Sequence, residues 1–193
     1  MRYPLRRVMS ESGRSKTSQI TVKKATVSNI RSLSKKLLEL LKDKRSEVYR
    51  ENVTKFGIPE DYVKKAFSEE ELVASAASGK STFYLALQEK QDIVGFAQIM
   101  PQNNNSSELD RIIVFPQNTR KGTGTQLLTK IIKDQQRKGT KTIRVNTGKD
   151  EYHARQFYEK NGFNLTKETS IETPWGTKLT LVTYELKCQP CRK

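Results

Sequence analysis

Residues 116–138, PQNTRKGTGTQLLTKIIKDQQRK, constrain the fold of this 193-residue chain more than any other stretch. Pro116 stops the apolar run before it, since proline brings no N–H to a strand ladder. Gly122 and Gly124 then let the backbone turn tightly and approach a neighbour, with Arg120 and Lys121 beside them. Behind the turn Leu127, Leu128, Ile131 and Ile132 recur at helical spacing, and Arg137, Lys138 and Gly139 close the helix. Strand, basic glycine turn and amphipathic helix in succession belong to a layered protein of sheet and helices. The turn amides and the positive end of the helix dipole also make a seat for an anion, a pyrophosphate above all. Taken alone, the turn is equally well explained as a plain strand-to-helix connection. It is neither a GxxxxGK[ST] loop nor a dinucleotide-type GxGxxG, and no acid closes the following strand as a ribose binder would.

With 34% hydrophobic residues the chain can bury one sizeable core, and it shows no internal repeat or linker. A single domain over 19–187 is expected, between a basic flexible tail at 1–18 and a short C-terminal tail at 188–193. The first eighteen residues carry five bases and one acid without apolar periodicity. Pro4 and the missing apolar stripe speak against a transit peptide, and no apolar segment makes a secretory signal. No run reaches the ~18 apolar residues of a membrane span. Cys188 and Cys191 are the only cysteines and cannot staple a fold, which fits a reducing, cytoplasmic setting. A lone CxxC in a chain with one His is a poor metal site, so no metal is expected.

The net charge of +15 first suggests nucleic acid. Its sorting argues otherwise. Residues 116–149 hold nine Lys and Arg against Asp134 alone, whereas residues 43–110 hold twelve acids against eight bases. One half is suited to an anionic ligand and the other tolerates or prefers a cationic one.

Along the chain, Ile20–Lys24 reads as a first strand. A helix follows from about Ser28, with Ile30, Leu33, Leu37, Leu38 and Leu41 at helical spacing. Residues 43–57 read as a weaker helix and a loop, and Pro59 begins a short helix through Val63 and Phe67. Ser68 and Glu71 form an S-x-x-E capping box for a helix to about Ser78, closed by Gly79. Thr82–Leu87 and Ile93–Met100 then make an antiparallel hairpin over a turn at Glu89–Asp92. Gln102–Ser107 is an Asn/Ser loop, Leu109–Phe115 a strand, and Thr142–Val145 a short strand after the long helix. Tyr152–Lys160 is a helix ending at Asn161-Gly162, with Phe163–Thr166 extended beyond it. Pro174-Trp175-Gly176 turns the chain into a last strand, Leu179–Leu186. The order β-α-α-β-β-β-α-β-α-β-β predicts a mixed sheet with helices on its faces, α+β to α/β.

The glycine turn gains meaning from HARQFYEKNGF, residues 153–163, where Ala154, Phe157 and Tyr158 share a helical face. Alone, Tyr158 reads as core packing. In combination, a strand ending in V-x-P, a basic xxGxG turn with a long helix, a short strand and A-x-x-F-Y-E-K-x-G-F resemble the GNAT superfamily of N-acetyltransferases. The resemblance spans about residues 82–165. It implies a mostly antiparallel central sheet of about seven strands with helices on both faces, and acetyl-CoA as cosubstrate. It further implies that the backbone of Ile112, Ile113 and Val114 pairs with the pantetheine arm. Amides of Arg120, Lys121, Gly122, Thr123, Gly124 and Thr125 would hold the pyrophosphate. Thr119 stands where the family's turn usually opens with Gln or Arg, and Glu151 where it often has a cofactor-contacting Asn. His153 is either a substitute for that Asn or simply exposed. Tyr158 matches the family's general acid for the departing thiolate.

An amine attacks a thioester only as the free base, so a proton acceptor is needed. Glu108 and Asp110, two apart on one strand, are expected to face one side, where mutual repulsion tends to raise one pKa. Both are equally well read as solvated acids at a strand start, and Arg111 points away into an ordinary ion pair. E-x-[DE]-R-I-x-V, after the F-S-E-E-x-L helix, is similar to the bacterial polyamine (spermidine/spermine) acetyltransferase subgroup. The expected function is direct acetyl transfer to a primary amine, a small-molecule amine such as a polyamine or a peptide amine. Two alternatives differ in class: a silent acetyl-CoA sensor, and a basic nucleic-acid-binding module with salt-steep duplex binding. No membrane partner is expected, nucleic acid is disfavoured by the sorting of charge, and a homodimer through the last strands is common among look-alikes.

Overall fold

In the computed structural model, which describes residues 19–103 and 105–188, seven strands form one sheet. They are β1 (Thr21–Lys24), β2 (Thr82–Leu87), β3 (Ile93–Gln102), β4 (Ser106–Val114), β5 (Thr142–Gly148), β6 (Asn164–Glu172) and β7 (Lys178–Lys187). Their order across the sheet is β1-β2-β3-β4-β5-β7-β6; β4 and β5 are parallel and the other neighbours antiparallel. The mixed, mostly antiparallel α/β architecture expected from the sequence is the one observed.

Strand residues alternate between two apolar layers. Tyr84 and Ala86 of β2 join Ile99, Leu109, Ile143 and Val145 on one face, where α5 (Thr123–Arg137) and α6 (Tyr152–Lys160) cover them. Phe83, Leu85 and Leu87 turn to the opposite face, under α1 (Val27–Lys42), α2 (Glu47–Tyr49), α3 (Glu60–Ala66) and α4 (Glu69–Ala77). β2 is buried on both sides, hence its unbroken apolar run.

The interval between the first two strands holds four helical pieces, as the residue-by-residue reading has it and two more than the β-α-α-β order counts. α1 is fixed by a full capping box, with Thr26 Oγ accepting from the Asn29 amide and Asn29 accepting from the Thr26 amide. Ser68 supplies half of the box read for α4, accepting from the Glu71 amide at 3.2 Å. α2 begins at Ser46, whose hydroxyl accepts from Tyr49 N–H, and then widens into a π-helical turn over Arg50–Lys55. Such turns are uncommon and cluster at functional sites. Three further boundaries shift. The Asn/Ser loop is shorter because β4 starts at Ser106; β5 runs on to Gly148; and β6 is a full strand. The β5 extension arises from pairing with β7, remote in sequence, whereas β4 and β6 lengthen within the β3–β4 and β6–β7 hairpins. The tail at 1–18 and Cys191 lie outside the described residues. Among the described residues no helix is long and apolar enough to cross a membrane, and no group of His, Cys, Asp and Glu converges as a metal site.

Candidate active site

β4 and β5 pair only where Ser106–Glu108 lie opposite Thr142–Arg144. Beyond Glu108 the strands part, and Leu109–Val114 keep ladder partners on the β3 side alone. One edge of β4 therefore presents free N–H and C=O groups into a wedge. Its other edge is pressed against β3, where a Cβ on Gly95 would sit 2.8 Å from the Ile113 carbonyl oxygen.

At the open end of the wedge β4 passes through a 3-10 turn, Pro116–Asn118, into the glycine turn. Arg120 at φ 58° and Gly122 at φ 79° are both left-handed. Left-handed residues in a short turn are how successive amides come to face one concavity. Gln126 N–H reaches the Gly122 carbonyl at 3.0 Å, so the amides of 120–125 precede the α5 ladder. The turn is tied down by Thr123 Oγ donating to the Asn118 carbonyl (3.2 Å) and Thr119 Oγ to the Pro116 carbonyl (2.9 Å). The Thr119 hydroxyl is thus committed to the backbone. A cleft of about 510 Å³ lies over this turn, walled by Ile112 and Val114 on one side and Phe157 and Tyr158 on the other.

Tyr158 is 6% exposed and packed among Phe157, Phe163 and Tyr184, with ring centroids 5.4 to 6.2 Å away. Burial pushes its phenol well above the ordinary tyrosine value, so it remains a proton donor throughout the neutral range. The helix that carries it is anchored by Arg155, which donates to the Tyr184 hydroxyl (3.1 Å) and the Lys149 carbonyl (2.9 Å).

A second cavity of about 450 Å³ continues from the first along Ile112–Phe115. Glu47, Ile112, Val114, His153 and Ala154 line both, so the two form one channel. The far cavity is acidic: Glu47, Glu51, Asp150 and Glu151 face Lys55 as its one lysine, with Phe56 beside them. Lys55 Nζ bonds Glu51 (3.3 Å) and pairs with Glu151 across the channel. Phe56 rests on the end of β5, where a Cβ on Gly148 would meet its ring at 3.3 Å.

Several expected site residues meet here. Ile112, Ile113, Val114, Arg120, Gly122, Thr123, Gly124, Thr125 and Tyr158 line the channel, and Lys121 is exposed within the same turn. His153 is exposed at the junction of the two cavities. Glu151, expected beside the cofactor, lines the acidic end and pairs with Lys55. Glu108 and Asp110 are bound to different partners. Gln98 pairs with Arg111 and the next residue, Ile99, with Leu109, so Asp110 is an extra residue in a β-bulge. Asp110 accepts from Arg111 Nε at 2.7 Å. Glu108 accepts from Gln102 and Asn146, both at 3.1 Å, and lines a separate cavity over β5 and β7. The sequence reading missed Glu47, Glu51 and Lys55. Their i, i+4 spacing was the available signal of one common face.

Residues 79–165 match the family model described as the acetyltransferase (GNAT) domain. A search of curated proteins finds no match. Among solved structures, a GNAT-family acetyltransferase from Staphylococcus aureus Mu50 is similar at 22% identity and TM-score 0.65, over 89% of this chain and 100% of that one. The PaiA N-acetyltransferase from Thermoplasma acidophilum, solved in complex with coenzyme A, gives 22% and 0.63 over 88% and 99%. The ribosomal-protein-S18-alanine N-acetyltransferase from Escherichia coli gives 17% and 0.61 over 91% and 97%.

Proposed function

We propose that the chain, whose residues 79–165 match the GNAT acetyltransferase domain, is an N-acetyltransferase that uses acetyl-CoA and passes the acetyl group directly to a primary amine on a cationic acceptor. The observation that carries this reading is the single channel running from the amide turn to the acidic cavity. A pyrophosphate fits the first end, which offers unladdered amides, the positive pole of α5 and the charges of Arg120 and Lys121. A pantetheine arm fits the free edge of Ile112–Val114, whose amides and carbonyls need partners. The thioester then lies at the junction, beside Tyr158, and the amine enters from the acidic end.

In this reading the lone pair of the amine attacks the thioester carbonyl carbon, the C–S bond breaks, Tyr158 protonates the thiolate, and the proton leaving the new amide nitrogen restores Tyr158 through water. Holding amine and thioester in one channel supplies a large part of the rate. The ammonium must first lose a proton. Glu47 and Glu51 line the cavity directly, while Asp110 and Glu108 of β4 would act only through water. Acceptor identity is read from charge: carboxylates around the entry favour a polyamine, or a peptide amine with basic neighbours, over a neutral amine. A cytoplasmic setting, where acetyl-CoA is available, accords with this chemistry.

The test is thiol release from acetyl-CoA against polyamines, aminoglycosides, amino acids and peptides. Release with cationic amines, weakening as salt rises, is expected. Binding of acetyl-CoA without release for any amine would leave a silent sensor instead.

A further inference from the structure

Lys55 is the one lysine in the acidic cavity, and it comes from the chain itself. It projects from the π-helical turn into the end of the channel where an acceptor ammonium is received. Its Nζ is held by two carboxylates from opposite walls, Glu51 on its own turn and Glu151 before α6. Its side chain remains 43% exposed and opens onto the cavity. A primary amine on a long flexible stem, ion-paired on both sides and opening onto Ile112–Phe115, reproduces what the channel presents to a bound acceptor.

Resting on the functional reading above, we infer that Lys55 is itself an acceptor: the protein acetylates its own Lys55 in the absence of a better amine. Lys55 Nζ gives a proton to the Glu151 carboxylate, which passes it to solvent. The free amine attacks the thioester carbon, a C–N bond forms, the C–S bond breaks, the thiolate takes the Tyr158 proton, and the second proton leaving nitrogen returns through water to the Tyr158 phenolate. Acetyl-CoA and the lysine ammonium become N-acetyl-lysine, free coenzyme A and one proton. The product side chain is neutral, so Glu51 and Glu151 lose their internal cation and the cavity becomes more anionic. Self-acetylation thereby converts a closed ion-pair net into a seat better matched to an external cation.

The experiment incubates the full chain with acetyl-CoA and no amine, and maps acetylated lysines by peptide mass spectrometry over time. Lys55 is expected to react at least ~10²-fold faster than the average exposed lysine, a modest share of the ~10⁵ M effective molarity open to a positioned amine. The first-order rate should be independent of protein concentration and collapse in Tyr158→Phe. Lys55→Gln, a neutral mimic of the product, should show a lower KM for cationic amines with the KM for acetyl-CoA unchanged. Modification of Lys55 no faster than other lysines, a rate rising with protein concentration, or persistence in Tyr158→Phe overturns the inference. Thiol release with external amines but an unmodified Lys55 defeats this inference alone. Failure to bind acetyl-CoA in calorimetry defeats the functional reading and this one with it.

Discussion

Tyr158 has a structural role and, in the proposed mechanism, a chemical one. Its ring completes an aromatic cluster, and the same burial keeps the phenol protonated, as the proposed mechanism requires of a donor to the thiolate. Tyr158→Phe keeps the ring and removes only the proton, so kcat should fall by ~10²-fold while the acetyl-CoA dissociation constant holds. Because the phenol is shifted upward, it contributes no titration between pH 6 and ~10, and wild type and variant should keep parallel pH profiles over that range. An unchanged kcat removes Tyr158 from the chemistry. The two turn glycines act for different reasons. At Gly122 an added Cβ meets nothing within 4 Å, but φ is 79°, so Gly122→Ala should cost about 1 kcal/mol in backbone strain. At Gly124 a Cβ meets the Phe157 ring at 3.3 Å and Val114 Cγ2 at 3.7 Å. Gly124→Val should therefore spread α5 from α6, weakening acetyl-CoA binding in calorimetry more than the alanine at 122 does. Equal binding by both variants and wild type would make the turn a mere connector.

At the scale of elements, what could be read from the sequence depended on how local the cause was. α6 was read with its observed ends, Tyr152 and Lys160, because its apolar face and its Asn161-Gly162 stop lie within a dozen residues. The glycine turn and α5 were legible for the same reason. The β4 bulge was not, since it arises from how β3 and β4 align and leaves Asp110 without a ladder partner on β3. The π turn was equally hidden, because one residue of extra winding leaves no compositional trace. Its position depends on a distant hairpin. Trp175, at the β6–β7 tip, donates Nε1–H to the Phe56 carbonyl at 3.3 Å and stacks near Tyr62, 6.1 Å between centroids. That tip thus holds the wall bearing Glu51, Lys55 and Phe56. Trp175→Ala should raise the amine KM about tenfold, the scale of one lost hydrogen bond with its packing, and leave the acetyl-CoA KM alone. A parallel rise in both would show that the hairpin supports the whole channel rather than its acceptor end.

Across the whole molecule the charge is divided, basic over 116–149 and acidic over 43–110, so +15 is not spread as a uniform polyanion-binding surface, and under the proposed function each end of the channel attracts its own ligand. The lone acid of the basic half, Asp134, has a different task. It is 7% exposed on α5 and accepts from Tyr84 Oη of β2 (3.1 Å) and Lys130 (3.0 Å), with Arg137 at 3.6 Å and Lys24 of β1 at 3.9 Å. Burial alone would raise its carboxyl. The hydrogen bonds from Lys130 and Tyr84 and the charges of Lys130 and Lys24 outweigh burial and hold it below the usual carboxylate range. A folded pKa below the unfolded value means that Asp134 stabilises the fold above about pH 4, and that this contribution disappears as pH falls through the folded value. Asp134→Asn should therefore be less stable than wild type by ~1–3 kcal/mol at pH 7, since it leaves Lys130 and Tyr84 without their charged partner. The gap should narrow steadily below pH 4, where wild type protonates and the variant has nothing left to lose. Urea midpoints at pH 7 and at the acid limit of folding measure both. A gap that is constant with pH would assign the role of Asp134 to packing between α5 and the first two strands, and not to its charge.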